Sequence, residues 1–530
     1  MTRIWLILLV FSLVQCRRPV SDEKFFRYNE SKGIPTLDPA HARNQTIIWP
    51  ASNIFNGLVQ LDSSLNVKPS IAQRWDWQPD SLLYTFYLRS DVFFHEHQIF
   101  GEAKTRKVTA HDFVYSFKRI LDPTTGSSGA WIFRYVDPNF GDHGFKVLND
   151  TVLIIRLKQP FEPFLSLLSM VYCSVVPHEV VDSEGVRFGF KPIGTGPFVL
   201  ARWETNNCLI LKKNQRYFEC DGHGNRFPYL DGVIISFIAD KQSEFMEFLL
   251  GNLDFLSGVH AAYKDELLTN DGKLRTKYQQ KIFMQTTPYL NTEYLGFIMD
   301  STHSDYVPLN IRKALNYCFD RQKMIAFLKN NLAVPAYRSI IPPSLFHFDS
   351  TELPCYSYDR TMVSNWLKDD RNPANRYRVT LLTTPDYLDI AEFLQHEARN
   401  VGIDLQIETA TGAAFRQKVA AGEPSFFRAS WIADYPHPEN FLLLFASNNK
   451  SPAGPNYTHF SNQSFDSVYN LIATGVADRN SIIEAEKIVF DQAPIIPLYY
   501  DMVVRFVNNK IRNLPLNAMN NLELKYVQKE

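Results

Sequence analysis

The stretch YRVTLLTT (377–384), DYLDIAEFLQHEARNVG (386–402) and IDLQIETA (403–410) places an amphipathic segment between two β-rich segments. In the middle segment, apolar residues recur three and four positions apart on one face, which predicts a helix. Gly402 follows where a left-handed C-cap suits glycine. A strand–helix–strand unit of this length predicts two parallel strands joined by a right-handed crossover. This region is therefore of the α/β type.

Further elements lie on both sides of this unit. NIRKALNYCFDRQKMIAFLKN (310–330) has helical periodicity and predicts one long helix. VTAHDFVYSFKRILDP (108–123) predicts another, with Thr109 and Asp112 in a capping-box pattern and Pro123 after its end. Strands are predicted at 84–89 and 151–157, after the turn in 192–200, and in a C-terminal segment broken by Pro494 and Pro497. The chain is predicted to be mixed α/β with several sheets.

Length and charge restrict the function. The chain has 530 residues, 45% hydrophobic and 21% charged, which predicts two or three globular domains. Its 55 Lys and Arg balance 56 Asp and Glu, so the basic surface of a nucleic-acid-binding protein is not expected. Aromatic residues make up 14% of the chain, enough to fill cores and also to line apolar binding sites.

The N-terminus has the pattern of an export signal. Arg3 precedes an apolar run, Ile4 to Val14, which is too short to span a bilayer and is followed by Cys16 and two arginines. The segment SLVQC (12–16) resembles the lipobox of bacterial lipoproteins, although Gln15 stands where a small residue is usual. We expect residues 1–16 to act as a lipoprotein-type signal, with Cys16 lipidated and the mature chain extracytoplasmic and anchored to a membrane. Ordinary secretion and an uncleaved anchor are the alternatives.

A search for reactive groups finds no G-x-S-x-G, H-E-x-x-H or Walker motif. His95 and His97 would face one side of a strand and are the best metal-ligand candidates, but no Cys or further His lies near them, so a solvated loop is favoured. We expect no metal and no other cofactor. Cys208 and Cys220 are the nearest pair of cysteines; in an oxidising compartment they could form a disulfide or remain free.

The segment SWIADYPHPENFL (430–442) ends an apolar strand-like run in a turn. Pro436 and Pro438 lack amide donors and fix φ, so neither a helix nor a central strand continues through them. Asp434 and Tyr435 therefore lie at the mouth of an apolar element. A carboxylate in this position is either a turn residue or an acceptor for a cationic ligand.

Several segments together resemble extracytoplasmic solute-binding proteins of the peptide/nickel type, the capture subunits of ABC importers. They occur in the family's order: NIFNGLVQLD (53–62), KPSIAQRWDWQPDSLLYTFYLR (68–89), VTAHDFVYSFKRILDP (108–123), GTGPF (194–198), IRKALNYCFDR (311–321), WIADYPHPENFL (431–442) and APIIPLYY (493–500). The sequence looks most like the oligopeptide- and dipeptide-binding members. The resemblance covers nearly the whole mature chain.

The resemblance implies a periplasmic-binding-protein-like fold, with two lobes of mixed sheets, a ligand cleft between them and an extra inserted domain. Lobe I would comprise residues 25–59, 190–288 and 496–530. The inserted domain would comprise residues 60–189, and lobe II residues 289–495. A hinge would close the lobes over the ligand.

The resemblance also implies a site and a role. Asp434 matches the aspartate that meets a peptide's α-ammonium in relatives, and Trp431, Tyr435 and Asn456 are the next ligand-binding candidates, with packing or turn formation as the alternative. His437 departs from the Asp or Glu often found in this turn. We expect a monomer without enzymatic activity that delivers short peptides to a membrane permease. A binder of a nickel complex, haem or oligosaccharide is the alternative, and a secreted hydrolase is less favoured.

Overall fold

The computed structural model describes residues 24–260, 263–345, 352–368 and 377–530. The strands are β1 (Phe25–Asn29), β2 (Val59–Leu61), β3 (Val67–Pro69), β4 (Ala72–Gln78), β5 (Leu83–Leu88), β6 (Phe145–Asn149), β7 (Val152–Arg156), β8 (Phe198–Glu204), β9 (Cys208–Lys213), β10 (Gly232–Ser236), β11 (Phe255–Ser257), β12 (Ile282–Phe297), β13 (Ala333–Pro335), β14 (Tyr377–Thr383), β15 (Ile403–Thr409), β16 (Phe426–Ile432), β17 (Ile495–Asn508), β18 (Ile511–Arg512) and β19 (Gln528–Lys529).

The helices are α1 (Gln45–Ser52), α2 (Ala110–Leu121), α3 (Phe164–Leu168), α4 (His178–Glu184), α5 (Lys241–Leu249), α6 (Lys264–Leu267), α7 (Leu309–Tyr317), α8 (Arg321–Lys329), α9 (Arg360–Leu367), α10 (Leu388–Arg399), α11 (Gly412–Ala420), α12 (Glu439–Leu442), α13 (Gln463–Ala473) and α14 (Arg479–Gln492). Together with the strands, they confirm the mixed α/β class.

The largest sheet runs in the order β15-β14-β16-β12-β17-β11-β1-β10-β9-β8, with β13 also paired to β17. Its two longest strands, β12 and β17, pair antiparallel along most of their length. Their register shifts between Pro288 and Thr292 and again between Glu293 and Tyr294. Strands of lobe I continue the sheet beyond β17 and strands of lobe II continue it beyond β12, except that β13 of lobe II also pairs with β17. The two strands therefore join the lobes at a point where the ladder is interrupted. The domain boundaries at the residue numbers given above stay a prediction.

The strand–helix–strand unit is confirmed in lobe II. β14 and β15 pair in parallel over seven residues each, with α10 between them in the chain. The buried face of α10 carries Ile390, Ala391, Leu394 and Ala398. Gly402 has a φ of +88°, a left-handed conformation that costs glycine little.

The inserted domain is built on a separate sheet in the order β4-β5-β7-β6. The helix predicted beside it is α2, which buries Phe113 and Phe117. The predicted capping box is confirmed, since the Thr109 backbone amide donates to Asp112 Oδ2 at 2.8 Å. The sequence signals were sufficient here because both the cap and the apolar stripe are local.

Two element predictions were wrong. The helix expected over 310–330 is interrupted between α7 and α8, where the Asp320 side chain accepts from the Lys323 amide at 3.1 Å and begins a new helix. The break expected at Pro497 does not occur, because β17 continues through it. Pro497 lies opposite Tyr294, beside a register shift that accommodates the missing amide donor.

Candidate ligand-binding cavity

The segment 430–442 enters the site as the end of β16. This strand pairs antiparallel with β12, with Ile432 opposite Asn291, and the pairing ends there. The Ala433 amide then donates to the Leu290 carbonyl at 2.8 Å, which holds the chain against β12 for one more residue. After Pro438 the chain enters the short helix α12. The prolines thus bound a loop that projects from the sheet, as the sequence predicted.

A cavity of about 170 Å³ lies where the two lobes and the inserted domain meet. Lobe I contributes the segment from Ala42 to Val59 and the C-terminal segment from Met519 to Lys525. The inserted domain contributes residues that include Ser169 to Ser174. Asp434 is the residue that lobe II contributes to the lining. The cavity therefore lies between lobes, where the fold class implies the ligand cleft.

The Asp434 side chain borders this cavity and is open to the solvent of the cleft, although many protein atoms lie near it. Burial raises its pKa to about 6, and a hydrogen bond with Asn440 opposes the shift only in part. No Lys or Arg of the described residues forms an ion pair with it. A ligand bound in the cavity would cover this carboxylate, and an ionised carboxylate without a cationic partner is costly to bury, so the site favours a ligand that brings a positive charge.

Trp431 supports Asp434 through a shared partner. The Trp431 indole Nε1 donates to Asn440 Oδ1 at 3.0 Å, and the Asp434 backbone amide donates to the same oxygen at 3.1 Å. Asn440 is fully buried. Trp431 is not among the residues that line the cavity. Its hydrogen bond to Asn440 positions the loop that carries Asp434.

Tyr435 is buried and is not among the residues that line the cavity. Its ring lies 6.3 Å from that of Trp131 of the inserted domain. Its hydroxyl donates to Glu439, which also accepts from the hydroxyl of Tyr469. A guanidinium nitrogen of Arg134 lies 3.7 Å from the Glu439 carboxylate. These contacts connect lobe II to the inserted domain.

Asn456 is fully buried, and its amide is satisfied within its own loop. Its Nδ2 donates to the carbonyls of Ala446 and Phe460, at 3.1 and 2.9 Å. Its Oδ1 accepts from the Thr458 hydroxyl at 2.9 Å and from the Phe460 amide at 3.2 Å. Asn456 does not border the cavity. Its hydrogen bonds stabilise the turn in which it lies.

The histidine candidates have structural partners. His95 is buried, its Nε2 lies 3.0 Å from the Gly196 carbonyl, and its Nδ1 accepts from the Gly194 amide. It thus holds the GTGPF turn, and burial lowers its pKa to about 4. His97 accepts from the Ile99 amide at 3.3 Å. The described residues contain no cluster of metal-ligating side chains.

The cysteines expected to pair or to carry lipid are Cys208, Cys220 and Cys16. Cys208 and Cys220 are free thiols in the structure. Cys16 and the lipobox lie outside the described residues. Among those described, no helix has the length and hydropathy needed to cross a bilayer.

Two charged cavity residues were missed from the sequence. Glu523 and Lys525 lie in the C-terminal segment, far from residue 434 in the chain, and both line the cavity. Lys525 Nζ donates to Gln60 Oε1 at 2.8 Å and to Glu219 Oε2 at 2.5 Å. Nothing local marks these residues, because only the fold brings the tail beside the 434 loop.

A larger depression of about 1140 Å³ adjoins the cavity, and Gln60 and Ser70 line both. Residues of lobe I and the inserted domain line it, including Arg89, Arg216 and Tyr526. No described residue of lobe II reaches it, so movement of the lobes does not enclose a ligand there. The smaller cavity is therefore the better candidate for the ligand cleft, although its volume is lower.

Two lobes joined by paired strands, an inserted domain and a cavity between them define a solute-binding protein. The chain belongs to the family described as bacterial extracellular solute-binding proteins, family 5 Middle, whose profile matches residues 66–453.

Relatives extend over nearly the whole chain. Dipeptide-binding protein DppE of Bacillus subtilis is 25% identical over 96% of this chain and 92% of its own. Heme-binding protein A of Haemophilus influenzae is 26% identical over 93% and 90%. Among solved structures, the periplasmic binding protein DppA from Helicobacter pylori in complex with peptide STSA superposes with a TM-score of 0.76 at 23% identity, covering 96% of this chain and 98% of that one. This likeness confirms the fold.

Proposed function

We propose that the protein captures short peptides between its lobes and delivers them to an ABC permease in the membrane. The observation that carries the proposal is the Asp434 carboxylate, which faces the interlobe cavity without an ion-pair partner among the described residues. A free peptide N-terminus supplies the missing positive charge. A charge-assisted hydrogen bond of this kind contributes about 1.5–3 kcal/mol.

The geometry around Asp434 supports this role over that of a simple turn residue. The turn is held by the Asn440 side chain and the Ala433 amide, so the Asp434 carboxylate is not needed to close it. A ligand whose cationic group binds Asp434 would also contact the residues of lobe I that line the cavity. Contact with both lobes at once stabilises the closed state, as ligand-driven closure requires.

The ligands of the relatives differ, so the family alone does not choose the cargo. One relative is named dipeptide-binding and another heme-binding. An imidazole side chain in the site would suit a haem or a nickel complex as an axial or metal ligand. His95, His97 and His437 are not among the residues that line this cavity. A carboxylate in the lining favours a cationic ligand instead.

The transport role includes a membrane anchor. We propose that Cys16 carries lipid and tethers the chain outside the cytoplasm, next to the permease. The lipobox-like segment SLVQC supports this step. The protein acts as a monomer and without catalysis.

The cargo can be identified directly. The protein is purified from its host without denaturation, the bound material is released with acid, and its mass spectrum is recorded. We expect a mixture of short peptides. Recovery of a metal complex, haem or a sugar, with no peptide, would overturn the proposal.

Asp434→Asn tests the anchor itself. The substitution removes the charge and keeps the shape, so we expect the affinity for peptides with a free amine to fall by about tenfold or more. N-acetylated peptides of the same sequence serve as the matched control and should lose much less. Equal losses for both would mean that Asp434 has a structural role.

A further inference from the structure

The cavity contains a second carboxylate that the peptide's N-terminus does not use. Glu523 lines the same cavity as Asp434 but comes from lobe I, so the two carboxylates approach the ligand from opposite lobes. Within the described residues, Glu523 accepts no hydrogen bond and forms no ion pair. A single α-ammonium on Asp434 leaves Glu523 without a partner.

The lysine that lines the same cavity does not form an ion pair with Glu523. Lys525 also lines the cavity, but its ammonium is 2.5 Å from Glu219 Oε2 and is engaged there and by Gln60. Burial raises the pKa of Glu523, and Glu219 and Asp62 add to this, whereas Lys525 and Arg505 act in the opposite direction. The raised pKa shows that protein cations compensate the charge incompletely.

The size of the cavity limits what can enter it. The cavity has a volume of about 170 Å³. Cavities that enclose a whole drug-sized ligand are about 300–1,000 Å³. The cavity therefore accommodates the first residue of a peptide, and the rest of the chain leaves it.

The walls fit a long side chain with a charged tip. The residues that line the cavity also include apolar ones of lobe I and the inserted domain: Ile48, Phe55, Met170, Val171, Met519 and Leu524. Lys and Arg pack their methylene stems on apolar surfaces and place the charge at the end. A small inorganic cation would leave these walls without a contact.

We infer that the cavity selects peptides whose first residue is basic, with the α-ammonium on Asp434 and the side-chain cation on Glu523. This inference rests on the proposed function and specifies its substrate class. It explains why both lobes contribute a carboxylate. A ligand with two cationic groups bridges the lobes and stabilises the closed state more than a ligand with one.

Calorimetric titration of the protein with matched tripeptides tests the inference. Lys-Ala-Ala is compared with norleucine-Ala-Ala, which keeps the stem and lacks the charge, and with Ala-Lys-Ala, which moves the charge by one residue. We expect Lys-Ala-Ala to bind at least about tenfold more tightly than either. In Glu523→Gln the preference for Lys over norleucine should fall to less than about threefold.

Controls separate this inference from the proposed function. Glu484→Gln removes one carboxylate from an exposed position of α14 and should keep the full preference for Lys-Ala-Ala over norleucine-Ala-Ala.

Equal affinity of the wild-type protein for Lys-Ala-Ala and norleucine-Ala-Ala would overturn the selection of a basic first residue while leaving peptide capture intact. This result does not depend on the folding of any variant. A preference that persists in Glu523→Gln would equally contradict the role of Glu523. Failure to bind any of the three peptides would count against the proposed function itself.

Discussion

At the scale of single residues, the raised pKa of Asp434 makes ligand binding depend on pH. The free protein protonates Asp434 below about pH 6, far above the usual range of an aspartate. A peptide α-ammonium loses its proton near pH 7.7–8.0. The affinity that depends on the charged pair is therefore highest between these two values and falls gradually outside them.

We predict a bell-shaped pH dependence of peptide affinity. Below about pH 6 the affinity should fall by up to about tenfold per pH unit, because binding requires an ionised Asp434. Isothermal titration from pH 4.5 to 8.5 measures the profile. The acid limb should be absent in Asp434→Asn. An acid limb near pH 4, or one that persists in the variant, would contradict the assignment.

Glu486 is a second buried carboxyl group, remote from the cavity. It accepts from the Ser339 hydroxyl, and burial raises its pKa to about 7. The folded state thus binds its proton more tightly than the unfolded state, in which the pKa is about 4.3. The stabilisation from this group is complete below about pH 4.3 and is lost as the pH rises towards 7.

We predict that Glu486→Gln makes the stability less dependent on pH. The neutral amide has no proton to lose, so between pH 5 and 8 the variant should lose about 2–3 kcal/mol less of its free energy of unfolding than the wild type. Urea unfolding at several pH values gives this difference. Glu484→Gln, on the exposed side of the same helix, is the matched control and should follow the wild type. Parallel curves for wild type and Glu486→Gln would disprove the prediction.

At the scale of elements, the 434–442 segment is fixed by the contacts of Glu439. This carboxylate is fully buried and is held by the hydroxyls of Tyr435 and Tyr469, with Arg134 of the inserted domain 3.7 Å away. A buried charge needs several such partners. The rigidity of the loop that carries Asp434 therefore depends on residues that do not touch the ligand cavity.

We predict that Tyr435→Phe lowers the free energy of unfolding by about 1.5–3 kcal/mol, because it removes a hydrogen bond to a charged group. Tyr469→Phe should have a similar effect, and the double variant should deviate from additivity, because both hydroxyls bind the same carboxylate. Denaturant unfolding of the four proteins measures the cycle. Tyr87→Phe, at a half-buried position of β5, controls for loss of a phenol hydroxyl. Additive effects would mean that the two tyrosines act independently.

The sequence was informative where the local signals agreed with one another. The periodicity of 386–402 and the capping box at Thr109 depend on near neighbours, and both predictions were confirmed. The prolines around His437 correctly predicted a turn after β16. The continuous helix over 310–330 was wrong because the N-cap at Asp320 outweighed the apolar periodicity. The partners of the site could not be predicted, because they are distant in the chain. Only the tertiary fold brings Glu523 to the cavity and Arg134 to the 434–442 segment.

At the scale of the whole molecule, lobe II contacts the inserted domain across the cleft. The Glu439 amide donates to His437 Nδ1, so Nε2 carries the proton and donates to Glu162 Oε2 at 3.2 Å. The Glu162 amide also donates to the Ala473 carbonyl at 3.2 Å. Together with the Arg134–Glu439 pair, these contacts hold lobe II against the inserted domain in the arrangement that the structure shows.

We predict that Glu162→Ala weakens peptide binding without changing the cavity, since the closed state loses the His437 contact and the ligand must supply more of the closure energy. Because Glu162 is half exposed, the pair is worth at most about 1 kcal/mol, and the affinity should fall by no more than about fivefold. Titration calorimetry gives the affinity, and X-ray scattering without ligand should show a larger radius of gyration. Glu162→Gln retains an oxygen that accepts from His437 and should stay close to the wild type. If Glu162→Ala matches the wild type in both measurements, the contact does not contribute to closure.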